Sequence, residues 1–273
     1  MFIIKYRTKA EKSGKERTMK HLLKIGYILI PYFVLELLQY VLLSAVILVK
    51  GVFEISGDLL YLMSASITAV CGLVFFLWYR YETKKEALDR TGALLIAKSI
   101  PLLTLLGIGC QFFFSGFMSL IRPFFEKVFS DYAEVLESLT DANIIVALFF
   151  MVIVAPVSEE LIFRGVILHR GGSCYPFWPA NILQAVLFGV YHANLVQGIY
   201  AALIGLILGA VCHKFGSIYA SIALHMIINA SSLLMALIPD KLISHIIVMA
   251  AGAGFMALSL ILIDKTVYKK FLQ

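Results

Sequence analysis

Charge is what this chain has least of. Only 15% of its 273 residues are Asp, Glu, Lys or Arg, while 61% are hydrophobic, against roughly 25% charged and 45–50% apolar in ordinary soluble domains. That excess excludes a water-soluble globular protein and points to an all-α polytopic membrane protein. Metal-ligand spacing is missing too. Cys71, Cys110, Cys174 and Cys212 are scattered over three apolar runs and one loop, which excludes a zinc ribbon or a disulfide framework and leaves plain buried thiols. No HExxH is present, and no internal repeat marks the two halves of a transporter. Behind the basic N-terminus there is no small-residue cleavage site, and the apolar run is too long for a signal h-region, so the arm reads as retained.

Apolar runs at about 22–49, 59–79, 93–121, 142–170, 178–194, 196–213, 217–238 and 242–263 predict eight transmembrane helices. The net charge of +6 is concentrated in the N-terminal stretch, short loops and the tail. Such placement sets membrane orientation and makes nucleic acid an unneeded partner. Basic residues in 1–21, 80–92, 169–177, 213–216 and 265–273 alternate with the acidic segment 122–141, which predicts that both termini are cytoplasmic in a plasma membrane. The expected organisation is a basic arm over 1–21, one membrane domain over 22–264 with its functional core at about 142–238, and a basic tail over 265–273. The arm reads as a disordered, solvated tail, with anionic headgroups as its alternative partner. Phe125, Val128, Phe129, Tyr132, Val135, Leu136 and Leu139 recur at helical spacing, which predicts a short amphipathic interfacial helix between helices 3 and 4.

Against this apolar background, Glu159, Glu160 and Arg164 stand out. An ionised side chain at the bilayer centre costs roughly 2.5–3.5 kcal/mol on the translocon scale, so each needs a partner, water or a task. Glu160 and Arg164 are four residues apart with the acid first, the favourable order for a supporting ion pair. Glu159 points elsewhere and must find partners on other helices. Candidates are Phe188 with His192 on helix 5 and His225 with Asn229 on helix 7, each pair sharing a helix face. Depths agree within tilt and reach: a 1.5 Å rise puts Glu159 about 16 Å, His192 about 21 Å and His225 about 12 Å from the inner helix ends. Pro156 removes a backbone hydrogen bond just before the glutamates and is expected to bend helix 4.

These residues resemble the motifs of the CPBP or Abi family of intramembrane endopeptidases, which includes CAAX prenyl proteases and bacteriocin-processing or self-immunity proteins. EExxxR falls on Glu159, Glu160 and Arg164, FxxxH on Phe188 and His192, and HxxxN on His225 and Asn229. The resemblance covers about 155–229 and implies hydrolysis of a hydrophobic or membrane-anchored peptide. It implies that Glu159 and His192 activate water, that His225 and Asn229 form the oxyanion site, and that Phe188 packs the motif. A metal mechanism remains the rival, because Glu159, His192 and His225 are also a sensible Zn2+ set. Two other functions stay open: a non-catalytic immunity or scaffold protein binding a peptide in the same cavity, and a proton-coupled transporter.

Remaining polar residues have plainer readings. Glu36, midway along helix 1, could join the site but better suits a buried pairing or a hydrated crevice; Lys98 suits snorkelling. His169, Arg170, His213, Lys214 and His245 fit interfacial positions, Trp78 and Trp178 fit interface anchors, and Gly205 with Gly209 fits close helix packing.

Overall fold

A computed structural model describes residues 2–52, 57–83, 90–130 and 143–270. Its main helices are α1 (Phe2–Val52), α2 (Gly57–Glu82), α3 (Arg90–Ile121), α4 (Ile144–Cys174), α5 (Phe177–Tyr191), α6 (Leu195–Phe215), α7 (Ile218–Ser231) and α8 (Leu242–Lys270). No strand occurs among the described residues. In lipid this is the expected solution, because a helix satisfies its backbone groups within its own segment.

Seven of these helices are long and apolar enough to cross a membrane, one fewer than the apolar runs suggest. The exception is α5, with 15 residues. The run expected over 178–194 is cut short because Ala193 takes a left-handed φ of 51° and Asn194 turns extended to cap α6, accepting hydrogen bonds from the amides of Val196 and Gln197. At the other end of α6, Gly216 adopts φ 59° and Ser217 caps α7 through the Tyr219 amide. These caps fold α5, α6 and α7 back on one another through very short turns.

The basic arm departs from the disordered tail expected of it, since α1 begins at Phe2 and continues without interruption into the apolar stretch. Its Lys, Arg and Glu residues are good helix formers, and no proline precedes Pro31. After α3, a 3-10 turn at Arg122–Phe124 leads into helical residues 126–130. Val128 and Phe129 are half-buried there while Glu126 and Lys127 are exposed, as an amphipathic helix requires. The rest of that expected helix, with Tyr132, Val135, Leu136 and Leu139, lies outside the described residues.

Two apolar clusters hold the bundle. One joins α3, α6, α7 and α8 around Leu103, Leu106, Leu208 and Leu224; the other joins α1, α2, α4 and α5 around Leu35, Phe75, Phe163 and Phe188. Cys71 and Cys110 are buried free thiols, while Cys174 and Cys212 are partly buried. Cys174 belongs to the last turn of α4 rather than to a loop.

At the base of α4, Arg170 is buried instead of interfacial. It pairs with Glu82 of α2 at 2.6 Å and donates to the Tyr27 carbonyl of α1 at 2.9 Å. Trp78 likewise does more than mark an interface, for its indole N–H donates to the same Glu82 oxygen at 2.8 Å. Trp178 is 61% exposed, as an interface anchor is. The latch at Arg170 fixes the base of the helix that carries the glutamates.

Candidate active site

Helix α4 is not regular where the glutamates sit. Residues Phe150–Val154 and Leu161–Leu168 are π-helical, and the α-helical turn Ala155–Glu160 lies between them. Such wide turns concentrate at functional sites. Pro156 helps explain the first one. The Ala155 amide bonds the carbonyl of Phe150, five residues back. In that register the next carbonyl, Met151, would receive the amide hydrogen of residue 156, and proline has none. Asn229 of α7 fills the gap, its Nδ2 donating to the Met151 carbonyl at 2.8 Å. One amide hydrogen of Asn229 is therefore committed to holding α4 and α7 in register.

Glu160 is wholly buried and carries two bonds on one oxygen. Arg164 Nη1 donates to Oε1 at 2.8 Å, and His225 Nδ1 meets the same oxygen at 2.9 Å. An ionised carboxylate only accepts, so Nδ1 of His225 carries the proton and Nε2 is turned the other way. There it faces Glu159 Oε2 at 3.6 Å. Glu159, lacking a partner on its own helix, thus finds one on α7. Serial bonding through Glu160 and His225 fixes ring and tautomer together.

Arg164 has further support. Its Nη2 donates to the Gly205 carbonyl of α6 at 3.1 Å, and its guanidinium lies 4.6 Å from the ring centroid of Phe188. Gln184 shares the Gly205 carbonyl at 3.0 Å and also donates to Asn181 Oδ1 at 2.8 Å. Asn181 in turn donates to the Leu206 carbonyl at 3.0 Å. Gly209 leaves room for this amide network, because a Cβ there would lie 1.9 Å from Asn181 Oδ1. The glycine pair does allow close packing, with the added task at Gly209 of admitting a polar side chain.

Phe188 is the aromatic hub. Its ring lies 4.9 Å from those of Phe163 and His192 and 5.9 Å from that of His225. His192 stands just past the end of α5, where its Nδ1 contacts the Phe188 carbonyl at 2.8 Å. A carbonyl cannot donate, so Nδ1 is the protonated nitrogen and Nε2 is left as the acceptor in the neutral ring.

Sequence spacing brings Glu159, Glu160, Arg164 and His225 into direct contact, and joins Phe188 and His192 to them through ring contacts. Asn181 and Gln184 carry no charge to mark them in the sequence, although Gln184, Phe188 and His192 repeat every fourth residue along α5. Ser221, His225 and Asn229 form the matching stripe on α7. Among the described residues, no group of three His, Cys, Asp or Glu side chains is arranged to hold a metal ion. His225 Nδ1 is engaged by Glu160 and His192 Nδ1 by a backbone carbonyl, which leaves Nε2 as the ring nitrogen of each that is open to another partner.

Residues 141–231, which run from the approach to α4 through α7, match the family model described as Rce1-like, type II CAAX prenyl endopeptidase. This core is similar to the CAAX-type prenyl endopeptidases. The matched segment contains every residue of the buried cluster and leaves out α1 to α3 and α8. An uncharacterized 24.3 kDa protein of Escherichia coli is 31% identical over 110 residues, covering 38% of this chain and 48% of that protein. The chain therefore matches about half the length of that relative. No solved structure matches.

Proposed function

We propose that the chain is an intramembrane endopeptidase that hydrolyses a peptide bond in a hydrophobic or membrane-anchored peptide, using Glu159 as the acid–base group. The observation that supports this most directly is the contact of His225 with both glutamates, within a segment of CAAX-protease sequence. Two carboxylates against one guanidinium leave one negative charge in a buried cluster, and the reaction below uses it as the base.

In this reading, water sits between the Glu159 carboxylate and Nε2 of His192. Glu159 takes a proton from it as the oxygen attacks the scissile carbonyl carbon, and His192 orients it. The carbonyl oxygen becomes the oxyanion. Protonated Nε2 of His225 and the second amide hydrogen of Asn229 donate to it, each such preorganised donor typically contributing about 2.7–4 kcal/mol. Glu159 then returns the proton to the amine as the C–N bond breaks. Glu160 and Arg164 hold His225 in place throughout.

With α5 crossing as a short eighth span, both termini lie on the cytoplasmic side. Glu159→Gln keeps the side chain's shape and removes the base, so peptide cleavage by purified protein should fall to background while the thermal transition stays. Retained cleavage by Glu159→Gln would end this assignment. Exhaustive chelation should leave cleavage intact; loss restored by added Zn2+ would replace the water mechanism with a metal one.

A further inference from the structure

Glu36 stands near the middle of the span Thr18–Lys50 and takes no part in the cluster around Glu160. Its side chain is exposed on the outside of the bundle, among exposed Phe33, Leu37 and Tyr40. No ion pair is formed by Glu36 among the described residues. Its neighbour one turn back on the same helix is Tyr32, whose hydroxyl lies within electrostatic reach of it. At this depth lipid supplies no cation either, since headgroups begin about 15 Å away in a ~30 Å core. A carboxylate so placed is a charge awaiting a partner.

The exposed carboxylate is connected to the site. One turn beyond it, Gln39 Nε2 donates to the Tyr191 hydroxyl at 2.9 Å. Tyr191 adjoins His192, with ring centroids 5.5 Å apart, and its hydroxyl lies within electrostatic reach of both Glu159 and Glu36. Tyr32, Glu36 and Gln39 follow each other at four and three residues, so they share one edge of α1. Tyr32 packs into the cluster around Phe163, while Glu36 remains at its rim. A polar edge thus runs from the lipid-facing surface to the side chain next to His192.

We propose that Glu36 receives a lysine or arginine carried in the membrane-embedded stretch of the peptide, and that this edge of α1 is the side along which the peptide reaches Glu159. A basic side chain in mid-membrane has the same deficit as Glu36, and pairing removes both. The inference rests on the endopeptidase reading in calling that peptide a substrate, but its binding step needs no cleavage.

The test uses full-length Glu159→Ala protein in nanodiscs, titrated with dansylated leucine–alanine transmembrane peptides of about 21 residues. One peptide carries a central lysine and the other a central norleucine, and binding is read by energy transfer from tryptophan. The lysine peptide should bind at least about tenfold more tightly, as a buried charge pair allows. Glu36→Gln should level the two, with norleucine binding unchanged as the check on folding. Glu36→Lys should turn the preference towards a peptide with a central glutamate. Equal binding of both peptides to the Glu36 protein overturns the proposal, as does a lysine preference that survives in Glu36→Gln. Because this protein cannot cleave by the proposed route, absent cleavage in the wild type would remove the endopeptidase reading and leave the binding result standing.

Discussion

The α3–α8 pair and the α4–α7 pair are joined by different means. Between α3 and α8, glycines let backbones touch: a Cβ on Gly252 would lie 2.4 Å from the Phe113 amide nitrogen, and one on Gly116 would lie 2.8 Å from the His245 carbonyl. Between α4 and α7, polar side chains make the join, through Glu160 with His225 and Asn229 with Met151. Lipid gives little hydrophobic drive for helices to associate, so close packing and polar bonds are the two available routes. Only the second also fixes groups able to do chemistry. The family match follows that division, for it includes α4 and α7 and leaves out α3 and α8.

The sharpest way to break the contrast is at the charges. Arg164→Ala leaves Glu160 buried with half its support and should cost about 3–5 kcal/mol, read as a lower unfolding midpoint in detergent. Removing both charges in Glu160→Ala with Arg164→Ala should recover part of that loss. Next comes Gly252→Val, which forces α3 and α8 apart and should cost about 1–3 kcal/mol. Cleavage per folded molecule should be unchanged in it; a fall would mean that the two pairs work as one unit.

A finer division concerns the wide turn of α4. Asn229→Ala strands the Met151 carbonyl and should cost about 1–3 kcal/mol. Pro156→Ala supplies the missing amide hydrogen, so adding it to Asn229→Ala should restore about 0.5–1.5 kcal/mol, measured as the coupling in a double-mutant cycle. Cleavage should stay low in the restored protein if the second amide hydrogen of Asn229 serves the oxyanion. The smallest effect is expected at the α6–α8 pair of Lys214 with Asp264, both substantially exposed. Lys214→Ala should change the unfolding midpoint by the equivalent of at most about 1 kcal/mol.

The Glu160–Arg164 pair and the need of Glu159 for a partner on another helix could be read from the sequence, because charge in an apolar helix is costly and four-residue spacing sets a shared face; the bond of His225 to Glu160 could not, since Arg164 already accounts for that carboxylate. Two kinds of feature escaped. The truncation of α5 depends on the φ of Ala193, a backbone choice that an apolar run through 194 does not reveal. The π-helical turns depend on hydrogen-bond register, and Pro156 signals a missing donor without saying that Asn229 replaces it. Asn181 and Gln184 passed unnoticed because uncharged amides barely disturb a hydropathy profile, although both are completely buried. Glu36 was conspicuous in sequence, yet its outward position at the rim of α1 required the packing of Tyr32 and Leu35 beneath it.

The shortness of α5 has a hydraulic consequence. Fifteen residues rise about 22 Å, roughly 8 Å less than a ~30 Å hydrocarbon layer. Trp178, exposed in the first turn, moors that end at the headgroups, so the deficit falls at the end that carries His192. A bilayer meets such a shortfall by thinning or by letting polar material dip inward. The same turn that truncates the helix therefore puts the histidine at the end where a thinned bilayer would bring water closest.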